Sequence, residues 1–482
     1  MKEYNVDRIK SNALNLVVYR PEHISTLYKS PLKIYMNRKN GYWICLGPEG
    51  QKAMDMLKNK QGMYVSDLMF AMYGNGSDQH SKEKDMFYHM LKLCLDKFIL
   101  MIQTGQDYAW APQPMMIKDI NLFEVTWAVA GYCNLRCRHC YAATNLHQKI
   151  TYDEELENHI LDSILSFCTD VTITGGEPFS HPRILTFIEK LAASIRAVTI
   201  LTNGTLIDET AADIISRYDN IKVQISLDSG IAENHEKIRG RGTFDRTVKA
   251  IELLRQRKVN VVLSMVPMEI NMDDMESLIQ LGERFGIKNL HFPLYQEFGN
   301  GFENRKELSP NKKKICNFFD RAMEQMEAGR MKNGHNFLMK KTLDGPPGTL
   351  VTNCGVGRGA LIDFKGNVYP CSGLFDDTFI AGNVKEQDVR DIYLNNTLFQ
   401  TLRKIKTTAI EECSNCIFQV YCSGGCRSRA LYGNGDIMAI DPYCNLYKHE
   451  LETYLWKQVE KKKYNFHNMT AIKEVMDIKC HA

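Results

Sequence analysis

The sequence has little excess of charge of either sign. It contains 60 lysines and arginines against 57 aspartates and glutamates among 482 residues, so its formal net charge is only +3. Proteins that bind nucleic acid usually present a strongly basic face, and this balance gives no support for a nucleic-acid partner. Since hydrophobic residues make up 44% of the chain, a globular protein of about three domains is expected.

Long apolar runs are also missing. No stretch approaches the roughly 18 apolar residues that a membrane-spanning helix requires. Residues 1–20 lack the apolar core and the small-residue cleavage site of a secretory signal peptide. We therefore expect a cytoplasmic protein with no membrane partner.

Cysteine, by contrast, is abundant. The chain has 15 cysteines, and clustered cysteines in a cytoplasmic protein indicate metal binding or catalysis, because disulfides are rare there. Five scattered cysteines are typical of small buried hydrophobic residues: Cys45, Cys94, Cys168, Cys316 and Cys480. The other ten form two groups: Cys133, Cys137 and Cys140, and then Cys354, Cys371, Cys413, Cys416, Cys422, Cys426 and Cys444.

From about residue 121 the apolar pattern alternates between strand and helix. Six strand-like segments are separated by amphipathic stretches, which predicts parallel βα units. Because about 180 residues are fewer than the about 250 of a complete eight-stranded barrel, we predict an α/β fold with a partial (β/α)6 TIM-type barrel at residues 121–300. The predicted strands lie at 123–129, 171–174, 197–201, 223–227, 259–266 and 290–294.

Other segments flank this barrel. Residues 1–110 contain two apolar runs, Leu32–Met36 and Tyr42–Leu46, joined by turn residues and followed by three helical patterns. A hairpin with three short helices predicts a winged-helix-like module, or else a plain structural cap. We also expect a linker at 106–120, a helical bridge at 301–350, a cysteine-rich domain of little periodicity at 351–447, and a C-terminal helix and tail at 448–482.

Three cysteines directly follow the first predicted strand. Cys133, Cys137 and Cys140 are spaced as C-x3-C-x2-C. Three thiolates on one short loop can hold three irons of a cubane cluster and leave the fourth iron open to a chelating ligand. A zinc site with His139 as its fourth ligand is the alternative.

A second motif gives this loop a family context. Gly175-Gly176-Glu177-Pro178 follows the second predicted strand, and the two motifs together resemble the radical S-adenosylmethionine superfamily over residues 121–300. The resemblance implies that the backbone of Gly175, Gly176 and Glu177 binds the amino group of S-adenosylmethionine. It also implies a 5′-deoxyadenosyl radical that abstracts hydrogen from the substrate; no side chain is singled out as catalytic.

Two further residues and one departure follow from the same resemblance. Ser226 and Arg239 are expected to hold the carboxylate or ribose of the cofactor, with a strand-end cap and a surface ion pair as the alternative roles. His139 stands where the superfamily usually has an aromatic residue; an imidazole still offers a flat face.

The C-terminal cysteines resemble the SPASM domain, an auxiliary-cluster module of radical enzymes. The resemblance implies one complete [4Fe–4S] cluster on Cys413, Cys416, Cys422 and Cys444, and a second on Cys354, Cys371 and Cys426, which makes three clusters in all. Zinc sites are the alternative. The open iron of the second cluster is expected to bind a cysteine thiolate of the substrate, unless Cys316 is its remote fourth ligand. Ser372 replaces the aspartate of sulfatase maturases, which disfavours that activity.

The N-terminal pattern resembles the RiPP recognition element, which binds the leader of a ribosomally made precursor by adding it to a sheet edge. The sequence thus predicts a radical peptide maturase of the sactipeptide or ranthipeptide type that forms cysteine thioether crosslinks. Its expected partners are the precursor peptide with its leader and a low-potential reductant such as flavodoxin or ferredoxin. Carbon–carbon crosslinking, epimerisation or residue oxidation, and a non-catalytic zinc-rich adaptor, are the alternatives.

Overall fold

The computed structural model describes residues 5–39, 41–58, 62–74, 81–97, 99–102, 124–142, 151–332 and 354–461. The predicted linker at 106–120, the end of the bridge at 333–350 and the tail after 461 lie outside these ranges. No helix within them is long and apolar enough to span a membrane.

The N-terminal part combines two small antiparallel sheets with four helices in its described residues. The elements are α1 (Val6–Ser11), β1 (Val17–Tyr19), β2 (Ile24–Lys29), β3 (Leu32–Asn37), β4 (Trp43–Leu46), α2 (Pro48–Met56), β5 (Met63–Tyr64), α3 (Val65–Tyr73), α4 (Ser81–Asp96) and β6 (Met101–Ile102). The predicted hairpin (β3–β4) and the three predicted helices (α2, α3 and α4) are present, whereas the sheet β5–β1–β6 and the strand β2 were not predicted.

A barrel-like sheet follows, and it confirms the predicted α/β fold. Six parallel strands lie side by side in chain order, from β7 to β12. The elements are β7 (Glu124–Ala130), α5 (Glu154–Phe167), β8 (Asp170–Gly175), α6 (Ile184–Ser194), β9 (Ala197–Thr202), α7 (Glu209–Ile215), β10 (Ile221–Ser226), α8 (Ala232–Arg239), α9 (Thr243–Gln256), β11 (Asn260–Ser264), α10 (Met275–Arg284) and β12 (Leu290–His291). The last strand is shorter than the predicted 290–294.

Alternation along the strands sets the two faces of this sheet. In β9, Val198 and Ile200 are fully buried in the core shared with the helices, whereas Thr199 and Leu201 are only partly buried. Because side chains point alternately to opposite faces, the second pair faces the barrel interior. The carboxyl ends of all six strands lie at one end, where the loops that follow them meet.

The C-terminal region extends the barrel sheet. The strand β13 (Ala360–Asp363) pairs in parallel with β7, and with two more strands it brings the sheet to nine strands among the described residues. The physical reason is an apolar strand at 360–363 and a glycine turn at Gly366, whose φ is +83°. The elements are α11 (Asn300–Glu303), α12 (Arg305–Leu308), α13 (Lys312–Glu327), β13 (Ala360–Asp363), β14 (Asn367–Tyr369), β15 (Gly382–Asn383), α14 (Val389–Asn395), α15 (Thr397–Arg403), α16 (Gln419–Cys422), α17 (Arg427–Asn434) and α18 (Cys444–Lys461).

The N-terminal sheet β2–β3–β4 is packed directly on the C-terminal region. One face of this sheet shares a hydrophobic cluster with α16 and α18, to which Ile34 and Trp456 belong. At the hairpin turn, the Tyr421 hydroxyl donates to the carbonyl of Gly41, and Arg38 Nη1 donates to Asn415 Oδ1 at 2.9 Å. The N-terminal module is therefore attached to the segment that carries Cys413, Cys416 and Cys422.

Candidate active site and metal centres

The loop with Cys133, Cys137 and Cys140 starts where β7 ends, and the end of β8 supports it. Gly176 N donates to Ala130 O at 2.6 Å, and Glu177 N donates to Tyr132 O at 2.9 Å. A Cβ at Gly176 would overlap the carbonyl of Tyr132, so the two motifs approach each other as closely as only glycine permits.

The side chain of Glu177 is fully engaged in hydrogen bonds to other residues of the protein. It is 1% exposed, and its carboxylate accepts from Thr202 Oγ1 at 2.7 Å, Asn203 N at 2.8 Å and Phe179 N at 3.1 Å. Burial raises the pKa of this carboxyl, and the hydrogen bonds only partly oppose it. Glu177 therefore ties the end of β8 to the end of β9, and its backbone is what it can offer to a cofactor.

The bridge helices hold the other side of the loop. Asn300 Nδ2 donates to Cys137 O at 3.0 Å, and Asn300 N donates to Cys140 O at 2.9 Å. Asn304 Nδ2 donates to Arg138 O at 3.0 Å. The sequence reading missed these residues, although the four-residue spacing of the two asparagines places them on one side of a helical segment.

Arg239 lies against the cysteine loop in a buried ion pair, not a surface one. Its Nε donates to Asp228 Oδ2 at 2.6 Å, and Nη1 and Nη2 lie 3.8 Å from Cys137 Sγ and 3.4 Å from His139 Nε2. Burial alone would raise the pKa of Asp228, but the charge of Arg239 reverses this and lowers it. A permanent cation therefore stands beside the loop thiols.

Ser226 is the last residue of β10, two residues before Asp228. In the neighbouring strand it is level with Ser264, whose hydroxyl lies 3.4 Å from His291 Nδ1. Ser226 thus lies at the same carboxyl end of the barrel as the cysteine loop. The cofactor-binding roles of Ser226 and Arg239 stay predictions.

The loop thiols suit a metal cluster better than a single ion. Burial raises the pKa of Cys133 to about 11 and that of Cys137 to about 12, so thiolates there need strong positive charge. Zinc would draw its ligands to about 2.3 Å from one point, yet no three His, Cys, Asp or Glu side chains among the described residues are arranged to hold one ion. The buried Nδ1 of His139 has no protein partner, which leaves a polar atom for a bound group to satisfy.

The seven C-terminal thiols gather in two sets. Burial and the neighbouring thiols raise the pKa of Cys422 to about 12, and those neighbours are Cys444, Cys413 and Cys416. For Cys371, burial and its neighbours Cys426 and Cys354 likewise raise the pKa to about 12. We call these the four-thiol site (Cys413, Cys416, Cys422, Cys444) and the three-thiol site (Cys354, Cys371, Cys426).

Cys316 is the residue that was expected as an alternative, remote ligand of the three-thiol site. It sits on α13, where burial and the carboxylates of Asp320 and Glu450 raise its pKa. Its hydrophobic neighbours belong to the barrel core, whereas Cys354 and Cys371 belong to a separate cluster with Leu374. Cys316 and the three-thiol site thus belong to different hydrophobic clusters, and its role as the remote fourth ligand stays a prediction.

Asp441 joins the two C-terminal sites, and the sequence reading missed it. This residue is 2% exposed. Its carboxylate accepts from Cys426 N at 2.5 Å, Arg429 Nη2 at 3.0 Å and Tyr443 N at 2.8 Å. A lone aspartate in a loop has no motif to signal it, but here it fixes Cys426 next to the segment that leads to Cys444.

Comparison with protein families matches two parts of the chain. Residues 127–282 match the radical SAM superfamily, and residues 354–417 match SPASM, an iron–sulfur cluster-binding domain. The chain is a radical SAM enzyme with a SPASM domain. Its cofactors are therefore S-adenosylmethionine and [4Fe–4S] clusters.

Several curated proteins resemble this radical SAM enzyme. Mycofactocin maturase MftC of Mycobacterium tuberculosis is 29% identical over 66% of this chain and 82% of its own. The subtilosin biosynthesis protein AlbA of Bacillus subtilis is 28% identical over 82% of this chain and 85% of its own. AdoMet-dependent heme synthase of Methanosarcina barkeri is 25% identical over 66% of this chain and 95% of its own.

Two solved structures share the fold. The anSMEcpe structure with bound AdoMet has a TM-score of 0.58 at 22% identity, covering 70% of this chain and 99% of that one. Streptococcus suis SuiB bound to precursor peptide SuiA has a TM-score of 0.56 at 16% identity, covering 89% of this chain and 99% of that one. The second likeness reaches further along the chain than the radical SAM and SPASM domains.

Tyr141 connects the loop cluster site with the three-thiol site of the radical SAM enzyme. It follows Cys140 and keeps 42% of its surface exposed. Its pKa is nevertheless raised to about 12, first by surrounding protein and then by Cys140 and Cys371. Tyr141 is therefore near enough to the thiols of Cys140 and Cys371 for both of them to raise its pKa.

A cavity of about 250 Å³ lies between the barrel and the C-terminal domain. Phe298 and Tyr432 line it, and their rings stack with centroids 4.2 Å apart. Tyr432 also packs beside Cys354 and Cys371, and its hydroxyl donates to Asp376. The cavity is thus one aromatic ring away from the three-thiol site.

Proposed function

We propose that this radical SAM enzyme modifies a ribosomally synthesised precursor peptide and forms thioether crosslinks from its cysteines. The observation that carries the proposal is the contrast between the two C-terminal sites. The four-thiol site can complete a cubane cluster, whereas the three-thiol site leaves one iron for an outside ligand. A cysteine thiolate of the substrate is such a ligand.

The location of the three-thiol site supports this role. Tyr141 lies near a thiol of each site, because Cys140 and Cys371 both raise its pKa, and this supports a substrate sulfur that is bound at one site and modified near the other. S-adenosylmethionine and its cluster, when bound, supply one-electron cleavage and hydrogen-atom abstraction. Each crosslink removes one hydrogen atom from carbon, one proton from the thiol and one electron, and the three-thiol site is the proposed acceptor of sulfur and electron.

The chain's own residues orient and enclose this reaction. Gly175, Gly176 and Glu177 offer backbone to the cofactor's amino group, and Ser226 lies at the same end of the barrel. Arg239 offsets the negative charge of the loop thiolates because its guanidinium is within 3.8 Å of Cys137 Sγ. The stacked rings of Phe298 and Tyr432 line the cavity beside the three-thiol site.

The N-terminal module is the proposed leader-binding part, at residues 1–110. In its described residues the sheet β2–β3–β4 has two outer edges, on β2 and β4, that pair with no other strand. An extended peptide can add to such an edge as a further strand. The AlbA match covers 82% of this chain, more than the barrel and everything after it can supply, so the likeness to this maturation protein includes part of the module.

The heme synthase likeness is the main competitor. It covers 66% of this chain, the same share as the mycofactocin maturase match and less than the 82% of the AlbA match. Under the peptide proposal, the module that packs on α16 and α18 binds the leader. Carbon–carbon crosslinking, epimerisation or residue oxidation would share the module, and product analysis separates them.

The test is mass spectrometry of a short cysteine-rich precursor encoded beside this chain, after anaerobic reaction with S-adenosylmethionine and reductant. Thioethers predict a loss of two hydrogen atoms per crosslink and cysteines that resist iodoacetamide. The Cys371→Ala variant should lose the crosslink, while Cys168→Ala, at a buried cysteine outside both sites, should retain it. The same mass loss with freely alkylated cysteines would contradict the thioether proposal.

A further inference from the structure

The walls of the cavity beside α17 consist largely of rings. Phe298 and Tyr432 stack on each other there, and Tyr443 lines the same space. Pro310 and Pro442 add two further rings. Because aromatic groups gain from offset or edge-to-face contacts with other rings, walls of this kind favour an aromatic guest.

The size of the cavity fits one side chain. Its volume is about 250 Å³, which is room for about eight water molecules at roughly 30 Å³ each. An aromatic side chain with a hydroxyl group has a similar number of non-hydrogen atoms. Sites for drug-sized ligands and cofactors are larger, at about 300–1,000 Å³.

Arg429 offers one unused hydrogen-bond donor to this space. It lines the cavity, and its side chain keeps 12% of its surface exposed. Nε and Nη2 donate to the carboxylate of Asp441, and Nη2 also donates to the Tyr447 hydroxyl. Nη1 has no partner among the described residues and is not sealed from solvent. An acceptor oxygen of a guest can therefore bind there.

The charges around the cavity balance, which favours a neutral guest. Asp441 already neutralises Arg429 through their ion pair at 3.0 Å. The other charged residues that line the cavity are Glu297 and Lys312, one of each sign, and both are exposed. A carboxylate or an ammonium group would find no net opposite charge, whereas a hydroxyl needs none.

The helix α17 relates the cavity to the three-thiol site. Cys426 directly precedes this helix, and Tyr432 lies near its other end. Since an α-helix rises about 1.5 Å per residue, the two are separated by about 9 Å along the axis. An extended peptide covers about 3.3 Å per residue, so a side chain in the cavity would belong to a residue about three positions from a cysteine at the three-thiol site.

We propose that this cavity is a specificity pocket for a neutral aromatic side chain of the precursor peptide, with tyrosine as the residue that fits it best. The proposal rests on the peptide substrate of the proposed function. The ring packs among Phe298, Tyr432 and Tyr443, and its hydroxyl oxygen accepts from Arg429 Nη1. No covalent bond changes in the cavity; the pocket selects the peptide and places the nearby cysteine.

The variant Lys312→Trp obstructs the pocket without changing its aromatic walls. Lys312 is an exposed lining residue at the start of α13. The matched control is Lys313→Trp, because Lys313 is the next residue of the helix and is exposed, but does not line the cavity. Both variants lose the same charge and gain the same side chain.

The first measurement is equilibrium dialysis of the holoprotein with N-acetyltyrosinamide, which requires no reaction. We expect the phenylalanine analogue to bind about 5-fold more weakly, because it lacks the acceptor oxygen. The leucine analogue should bind about 10-fold more weakly, because it lacks the ring. Lys312→Trp should raise the Kd for N-acetyltyrosinamide at least about 10-fold, and Lys313→Trp should change it less than about 2-fold.

The second measurement is the Kd of the cysteine-rich precursor encoded beside this chain, taken without reductant so that no product forms. Replacing the aromatic residue nearest the reacting cysteine by alanine should raise the Kd about 10-fold for the original protein and for Lys313→Trp. The same replacement should have little effect on binding to Lys312→Trp, because two changes at one contact are not additive.

Equal affinity for the tyrosine and leucine amides, or equal effects of the two lysine variants, would overturn the proposal. Additive effects of Lys312→Trp and the peptide substitution would also overturn it, as would a precursor without an aromatic residue within about four positions of a cysteine. Failure of the thioether proposal looks different, since a product with freely alkylated cysteines leaves both sets of Kd values unchanged.

Discussion

The loop of Cys133, Cys137 and Cys140 and the seven C-terminal thiols position their ligands in different ways. The loop takes three thiols from one short segment and is braced by hydrogen bonds from β8, α8 and α11. The C-terminal sites take their thiols from several segments between Cys354 and Cys444. The helices α16 and α17 in this region are short. The protein thus takes the thiols of its catalytic metal site from one loop of the barrel, and those of the two further sites from segments that lie far apart along the chain.

This difference has a consequence for stability. Where a folded scaffold already places the ligands, metal binding adds function and changes the fold little. Where ligands come from distant segments and few apolar contacts join them, the free energy of metal binding becomes free energy of folding. The loop should therefore survive loss of its cluster, whereas the C-terminal domain should not.

Removing one ligand from each region should give the largest effects. In Cys422→Ala the four-thiol site loses a ligand, and we expect loss of several kcal/mol of stability, on the order of what small metal-dependent domains lose. In Cys133→Ala we expect a change of about 1 kcal/mol or less but complete loss of S-adenosylmethionine cleavage. Anaerobic limited proteolysis and thermal unfolding measure both. Equal destabilisation by the two variants would contradict the expected difference in stability between the loop and the C-terminal domain.

Gly176→Ala should damage the loop and spare the C-terminal sites. Its Cβ would overlap the carbonyl of Tyr132, so the loop must shift, and we expect at least about 100-fold slower cleavage of S-adenosylmethionine. The control is Gly47→Ala, because nothing lies within 4 Å of a Cβ there. Iron bound by the C-terminal sites should be unchanged, and a variant that cleaves the cofactor normally would show that the close approach is unnecessary.

Glu450 is a buried residue of α18 whose protonation should make stability depend on pH. Both carboxylate oxygens are buried without a partner, and burial, followed by the charge of Asp320, raises the pKa from its usual 4.5 to about 8. The folded state therefore holds a proton that the unfolded state releases above pH 4.5. The stability from this group is complete below about pH 4.5 and is lost as the pH rises through 8.

The variant Glu450→Gln removes this titration. We expect it to be more stable than the original at pH 8, by on the order of 3 kcal/mol, with the difference shrinking towards pH 5. Thermal unfolding across this pH range measures it, and Glu452→Gln, at a partly exposed residue of the same helix, is the control. A difference that does not vary with pH would show that Glu450 is not protonated in the folded protein.

The smallest expected effect concerns support of the four-thiol site by the N-terminal hairpin. Tyr421→Phe removes the hydroxyl that donates to Gly41 O, and we expect a loss of about 1–2 kcal/mol with faster extraction of iron by a chelator. Cleavage of S-adenosylmethionine should be unaffected. Tyr28→Phe is the control, since Tyr28 is 62% exposed. Chelation at an unchanged rate would mean that the C-terminal site needs no help from the module.

Local sequence patterns predicted the features that depend on neighbours along the chain. The six barrel strands, the hairpin and the loop motif all follow from spacing within about ten residues. The grouping of the seven C-terminal thiols came from a family resemblance, and the structure brings the same sets together.

Features that depend on residues far apart along the chain could not be predicted from the sequence. The strand β13 joins β7, which is more than two hundred residues earlier, and no local pattern signals that partner. Asn300, Asn304 and Asp441 act through hydrogen bonds to backbone atoms of other segments. Arg239 was expected near the cofactor, but which side chains surround it depends on how α8 packs against the loop.

The most direct test is anaerobic incubation of the reduced, reconstituted protein with S-adenosylmethionine, measuring 5′-deoxyadenosine and bound iron together. The original protein should form 5′-deoxyadenosine and bind about 12 irons. The triple variant Cys133→Ala/Cys137→Ala/Cys140→Ala should form none and keep about 8 irons at the C-terminal sites. Equal 5′-deoxyadenosine from both proteins, or none from the original, would contradict the account.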